Sequence, residues 1–237
     1  MADDSIPRRT FLVGAGVAGS VAVTGVTASP VTAATDSAPV PTAPAQAEAW
    51  LTLNPTEAAF VTAAVDTLIP ADELTPSGSA CGVATFIDRQ LAGAYGSGAR
   101  LYRDGPFLKG KPEHGYQLAL TPRDYFRAGI AATNDWIRKR HGKDFDRLGE
   151  AEREAALKEM EQGKAEFPGF SSKDFFEALL TITMEGFFSD PIYGGNRDMA
   201  SWKMIGYPGL PASYRDDVKT YFNKTYDKLP QSIADFV

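Results

Sequence analysis

The chain has 237 residues and a formal net charge of −6, from 30 acids against 24 lysines and arginines. A mildly acidic chain without basic runs has no footprint for nucleic acid and no attraction to an anionic membrane surface. A single cysteine excludes an internal disulfide, and two histidines offer little for a metal centre.

The first residues read as an address. Arg8 and Arg9 precede Thr10, Phe11 and Leu12, close to the R-R-x-F-L core of twin-arginine export signals. An uncharged stretch of small and apolar residues follows to about Val31, and Thr32-Ala33-Ala34 offers a signal peptidase small side chains. The stretch is too weakly hydrophobic for a permanent span. Residues 1–34 are therefore expected to carry the protein by the twin-arginine machinery to the periplasm or the outer face of the cytoplasmic membrane. Gly14-Ala15-Gly16-Val17-Ala18-Gly19 matches a dinucleotide fingerprint. However, Ser29-Pro30 and a Pro/Ala/Thr-rich tract stand where a βαβ unit needs its second strand and acid. Residues 35–48 read as an extended linker, and residues 49–237 as one domain.

That domain is expected to be all-α, with five or six helices and a long irregular loop. Asn54-Pro55-Thr56-Glu57 is a helix start: Asn54 caps, Pro55 suits the first position and Glu57 reaches back. Phe60, Val61, Ala64, Val65 and Leu68 form its apolar stripe, and Pro70 ends it. A second helix is expected from Val83 to about Ala94. Residues 95 to 120 are irregular and rich in Gly and Pro, long enough to serve a function or lie along a partner. Thr121-Pro122 opens a third helix to about Arg140. Glu150 to Gly163 is a charged helix with a Glu154–Lys158 pair. Ser171 or Ser172 caps the next, whose Phe175, Phe176, Leu179, Leu180, Ile182, Met184 and Phe187 are apolar nearly all round, so it should be buried. A last helix from Ser213 or Tyr214 should turn Val218, Tyr221, Phe222 and Leu229 inward. No alternation argues for a sheet.

Chemistry is hard to place. His114 lies in the irregular loop, and His141 follows Arg138-Lys139-Arg140 at a helix end, where the helix dipole favours a cation. No H-x-x-x-H, C-x-x-C or G-x-S-x-G occurs. Cys81 reads either as a semi-buried thiol or as half of a disulfide to another subunit. Glu185, between Met184 and Gly186, is an acid in an apolar setting, a general base in one reading and a paired acid in another.

The densest segment runs Phe187-Phe188-Ser189-Asp190-Pro191-Ile192-Tyr193-Gly194-Gly195-Asn196-Arg197-Asp198, then Met199-Ala200-Ser201-Trp202-Lys203-Met204-Ile205-Gly206-Tyr207-Pro208-Gly209. Asp190-Pro191 stops a helix, the glycines permit close approach, and Asn196, Arg197 and Asp198 present polar groups from a turn. Asp190, Tyr193, Gly194, Gly195, Asn196, Arg197, Asp198, Trp202 and Tyr207 are candidates for partner contact. The alternative is a structural turn in which Trp202 fills the core.

With Leu53-Asn54-Pro55-Thr56-Glu57 and Leu68-Ile69-Pro70, this segment resembles the small (subunit 3, or gamma) subunit of gluconate 2-dehydrogenase-type complexes. The resemblance spans roughly residues 50 to 210. It implies a subunit with no redox cofactor of its own, bound to a large FAD-containing dehydrogenase subunit, with a multihaem cytochrome c subunit taking the electrons. It further implies that Arg8, Arg9, Phe11 and Leu12 direct export of the folded flavoprotein along with this chain. Against it stands a stand-alone exported enzyme using Glu185, His114 and the Asp190–Asp198 turn.

Overall fold

The computed structural model describes residues 49–236 except Arg103, Lys109, Pro112, Glu113, Pro211 and Ala212. The expected export signal and linker lie outside the described residues. Among those described there are seven α-helices and no strand: α1 Pro55–Leu68, α2 Val83–Ala92, α3 Pro122–His141, α4 Glu150–Glu161, α5 Ser172–Phe188, α6 Ala200–Ile205 and α7 Arg215–Thr220. None is long and apolar enough to cross a membrane.

The helix starts follow local chemistry. Asn54 accepts from the Glu57 N–H at 2.9 Å while the Glu57 carboxylate accepts from the Asn54 N–H at 2.9 Å, so two orphan donors of α1 are satisfied together. Thr121 and Ser171 cap α3 and α5 by accepting from the N–H three residues on. At the far end of α3, Gly142 turns left-handed and closes the helix behind its basic last turn.

Helix α5 is the hub, packed against α1, α2, α3, α4 and α6. Its Phe175, Phe176, Leu179, Ile182 and Phe187 are buried. It is amphipathic rather than apolar all round, because Lys173, Glu177, Thr181 and Glu185 keep one stripe in water. On the α3 side lies an aromatic cluster. Phe175 meets Tyr125 and Phe126 edge-on at 6.0 and 5.8 Å, and Tyr116 stacks on Tyr125 at 3.9 Å. Gly129 of α3 makes room for it, since a Cβ there would strike the Phe175 ring. Burying each such ring stabilises by about 1.5–3 kcal/mol before the entropy of ordering it.

One buried acid ties the entry of the domain to this core. Asp88 of α2 is 2% exposed, and its carboxylate accepts from the backbone N–H groups of Leu51, Thr52 and Leu53 at 2.6, 3.0 and 2.9 Å. Glu57 also faces Arg127 of α3, at 3.6 Å.

The C-terminal segment differs from expectation. α7 is only six residues long, and Val218, Phe222 and Leu229 are 67%, 72% and 82% exposed rather than turned inward. Tyr221 is half-buried. The segment is fastened through backbone instead. Leu210 donates to the Gln231 carbonyl at 3.0 Å, and Gln231 donates to the Pro208 carbonyl at 3.1 Å. Asp217 then clasps Lys228 at 2.5 Å and the Tyr226 hydroxyl at 2.7 Å.

Candidate functional site

The segment after α5 is a compact turn built against the starts of α2 and α6. Ser189 closes α5 by donating its hydroxyl to the Gly186 carbonyl at 3.0 Å, and Pro191 cannot extend the helix. A 3-10 turn, Pro191–Tyr193, leads into Gly194 at φ +98°, where a Cβ would lie 2.7 Å from the Arg89 guanidinium. At Gly195 a Cβ would collide with the Gly186 carbonyl. The two glycines therefore let the chain fold back onto α5 and α2 where no larger residue fits.

Asn196 is the keystone. It is fully buried at φ +46°, a left-handed conformation that asparagine tolerates better than most residues. Its amide donates to the Ser189 carbonyl at 2.9 Å, and its side-chain oxygen accepts from the Ser201 N–H at 3.0 Å and hydroxyl at 2.8 Å. It thus joins the end of α5 to the start of α6. Asp198 and Met199 follow at φ +56° and +54°. Such strain persists only where surrounding bonds hold it.

The turn is also pinned from outside. The Arg197 N–H donates to the Cys81 carbonyl at 2.9 Å, and its guanidinium reaches the Thr85 hydroxyl at 3.4 Å. Asp190 accepts from the N–H of Ile192 at 3.0 Å and, across 43 residues, from that of Ile233 at 2.8 Å. Trp202 is 4% exposed, donates its indole N–H to the Phe188 carbonyl at 2.9 Å and meets Tyr207 edge-on at 5.2 Å.

The nine candidates are thus brought together, yet they divide. Asp190, Gly195, Asn196 and Trp202 are buried in the turn's own bonding; Gly194, Arg197 and Tyr207 are half-buried; Tyr193 and Asp198 face outward. Ile192, not singled out in the sequence, is 48% exposed beside Tyr193. Arg8, Arg9, Phe11 and Leu12 lie outside the described residues. Cys81, read from the sequence as either a semi-buried thiol or half of a disulfide to another subunit, lies just before α2. It is 1% exposed with its thiol directed at the Pro76 carbonyl, so bridging to another chain would require opening the start of α2. Burial pushes its pKa up, against the opposing charge of Arg197.

The parts of a stand-alone active site do not converge. Glu185 is exposed on α5, lining a cleft of about 380 Å³ with Tyr95, Tyr116, Asp174 and Glu177. Partial burial raises its pKa, and that of Tyr95 is raised by burial and then by the Glu185 charge. His114 lines the neighbouring cleft of about 310 Å³, where its Nδ1 accepts from the Lys111 N–H at 3.3 Å. The Asp190–Asp198 turn lines neither. His141 lies 3.6 Å from Glu152 on another face. Among the described residues no three His, Cys, Asp or Glu side chains gather as metal ligands do.

The sequence marks residues 95 to 120, with Arg103-Asp104-Gly105-Pro106-Phe107 among them, as a loop that could lie along a partner, but does not show which of its side chains are exposed. Tyr95, Leu101, Tyr102, Phe107 and Leu108 are all at least 42% exposed. Their signal is a density of large apolar residues with neither helical nor strand period, but exposure cannot be read from an irregular loop.

Residues 55–209 match the sequence model of a family described as gluconate 2-dehydrogenase subunit 3. The match runs from the first residue of α1 to Gly209 and takes in the whole turn. No curated protein and no solved structure matches the chain.

Proposed function

Because the chain belongs to the gluconate 2-dehydrogenase subunit 3 family, we propose that it is the non-catalytic small subunit of an FAD-dependent sugar or sugar-acid dehydrogenase complex. In this reading it binds and steadies the flavoprotein subunit, and the FAD resides there. A multihaem cytochrome c subunit accepts the electrons. Arg8 and Arg9 direct the pair through the twin-arginine machinery to the periplasmic side, a route suited to cargo folded around a cofactor before export.

The family match over residues 55–209 is the observation that carries this reading. The separation of Glu185, His114 and the Asp190–Asp198 turn adds support, since general acid–base work needs groups within hydrogen-bond reach of one bound molecule. The test is export of the partner. Replacing Arg8 and Arg9 by lysine, with the flavoprotein co-expressed, should leave both chains in the cytoplasm. Flavoprotein reaching the periplasm undiminished, or never co-purifying with the unaltered chain, would defeat the proposal.

A further inference from the structure

Two clefts meet at one wall. Tyr95, Gly115 and Tyr116 line both. On one side lies an apolar cleft of about 310 Å³ carrying Leu101, Tyr102 and Phe107, which are 49%, 85% and 42% exposed. On the other lies the cleft of about 380 Å³, whose charged lining is Asp174, Glu177 and Glu185, with no lysine or arginine among the described residues of its wall. Lys173 stands 3.8 Å from Glu177, with both side chains 57% exposed, so the acid is only loosely paired.

Resting on the small-subunit reading above, we propose that these joined clefts are the face that docks the dehydrogenase subunit. They would accept from it a segment with apolar or aromatic side chains next to an arginine or lysine.

Three observations favour that occupant. Tyrosine, phenylalanine and leucine exposed together form the kind of apolar patch that marks an interaction surface, and tyrosine is enriched among interface hot spots. The adjoining carboxylates set a complementary sign, so a cation beside the apolar anchor is drawn to Glu177 and Glu185, whereas an acidic segment is repelled. The face also lies inside residues 55–209, the part shared with the family, whereas exposed Val218 and Phe222 of the C-terminal segment lie beyond it.

The full chain is co-expressed with the flavoprotein, and the dissociation constant is measured for the unaltered complex and three double variants. Tyr102→Ser with Phe107→Ser removes the apolar anchor points, and Glu177→Lys with Glu185→Lys reverses the charge. Val218→Ser with Phe222→Ser serves as the comparison, and thermal melts check that each variant folds. The first two pairs should weaken binding at least tenfold, and the reversed pair should also lose the weakening by salt that the unaltered complex shows. The comparison pair should bind unchanged. If the unaltered complex forms and the first two pairs bind within twofold of it, the docking face is wrong while the subunit reading stands. The docking face is equally wrong if only the comparison pair weakens binding, or if the clefts prove to hold a second copy of this chain, seen as self-association lost in the variants. If the unaltered chains never associate, the subunit reading itself falls, and this proposal with it.

Discussion

Replacing Asn196 by alanine tests whether the turn is held by its own buried bonds. The side chain is fully buried and makes three hydrogen bonds, two of them to backbone groups of Ser189 and Ser201. At about 1 kcal/mol for each lost bond the cost is about 3 kcal/mol. Alanine at φ +46° adds about 1 kcal/mol of left-handed strain. The expected loss is thus about 4 kcal/mol, or a fall in Tm of about 8–16 °C for a domain of this size. Asn196→Gly loses the same bonds but accepts the backbone angle, so it should be about 1 kcal/mol less damaging than alanine. Urea titration of the purified chain measures both. A loss below about 1 kcal/mol for alanine, or glycine proving worse than alanine, would refute the view that buried bonding and left-handed geometry fix this turn.

Three further outcomes follow. Gly129→Ala should destabilise by about 1–3 kcal/mol in the same titration, because the methyl meets the Phe175 ring, whereas an exposed helical glycine would gain about 1 kcal/mol from that change. The Asp217 carboxyl is held below its ordinary range by the hydrogen bond from Lys228 and then that from Tyr226. A depressed acid stabilises above its unfolded pKa, near 3.8, and that contribution is lost as pH falls through the lower folded value. Hydrogen-exchange protection across residues 215–228, taken relative to the intrinsic exchange rate at each pH, should therefore fall below about pH 3.8. Tyr226, pushed up to about 12 by the same bond, should ionise later than an ordinary tyrosine in a tyrosinate absorbance titration. Cys81 should resist alkylation in the folded protein and react once denatured, and the complex should show no disulfide-linked band on a non-reducing gel.

The sequence by itself determined what depends on neighbours a few residues away. Asn54 with Glu57, Thr121, and Ser171 mark helix starts because a cap bonds to an N–H within the next turn, so composition and spacing are enough. Pro70 and Asp190-Pro191 mark helix ends for the same local reason. The family, too, was legible, in the run from Glu185 to Gly209.

What lies across the chain was not. The apolar face of Val218, Phe222 and Leu229 carries the periodicity of a buried helix, but only the rest of the fold decides whether anything covers it, and nothing among the described residues does. Glu185 sits in an apolar stretch of sequence, yet it falls on the one wet stripe of α5. Asp190 reads as a turn residue, and its second bond goes to Ile233, 43 positions on. The small α6 escapes a periodicity reading because six residues show less than two turns of pattern. Burial and long-range bonding are properties of surfaces brought together by folding, so tertiary structure alone assigned the interior of the turn to stability. It also brought Tyr95, Tyr102, Phe107, Tyr116, Glu177 and Glu185 around one exposed pair of clefts.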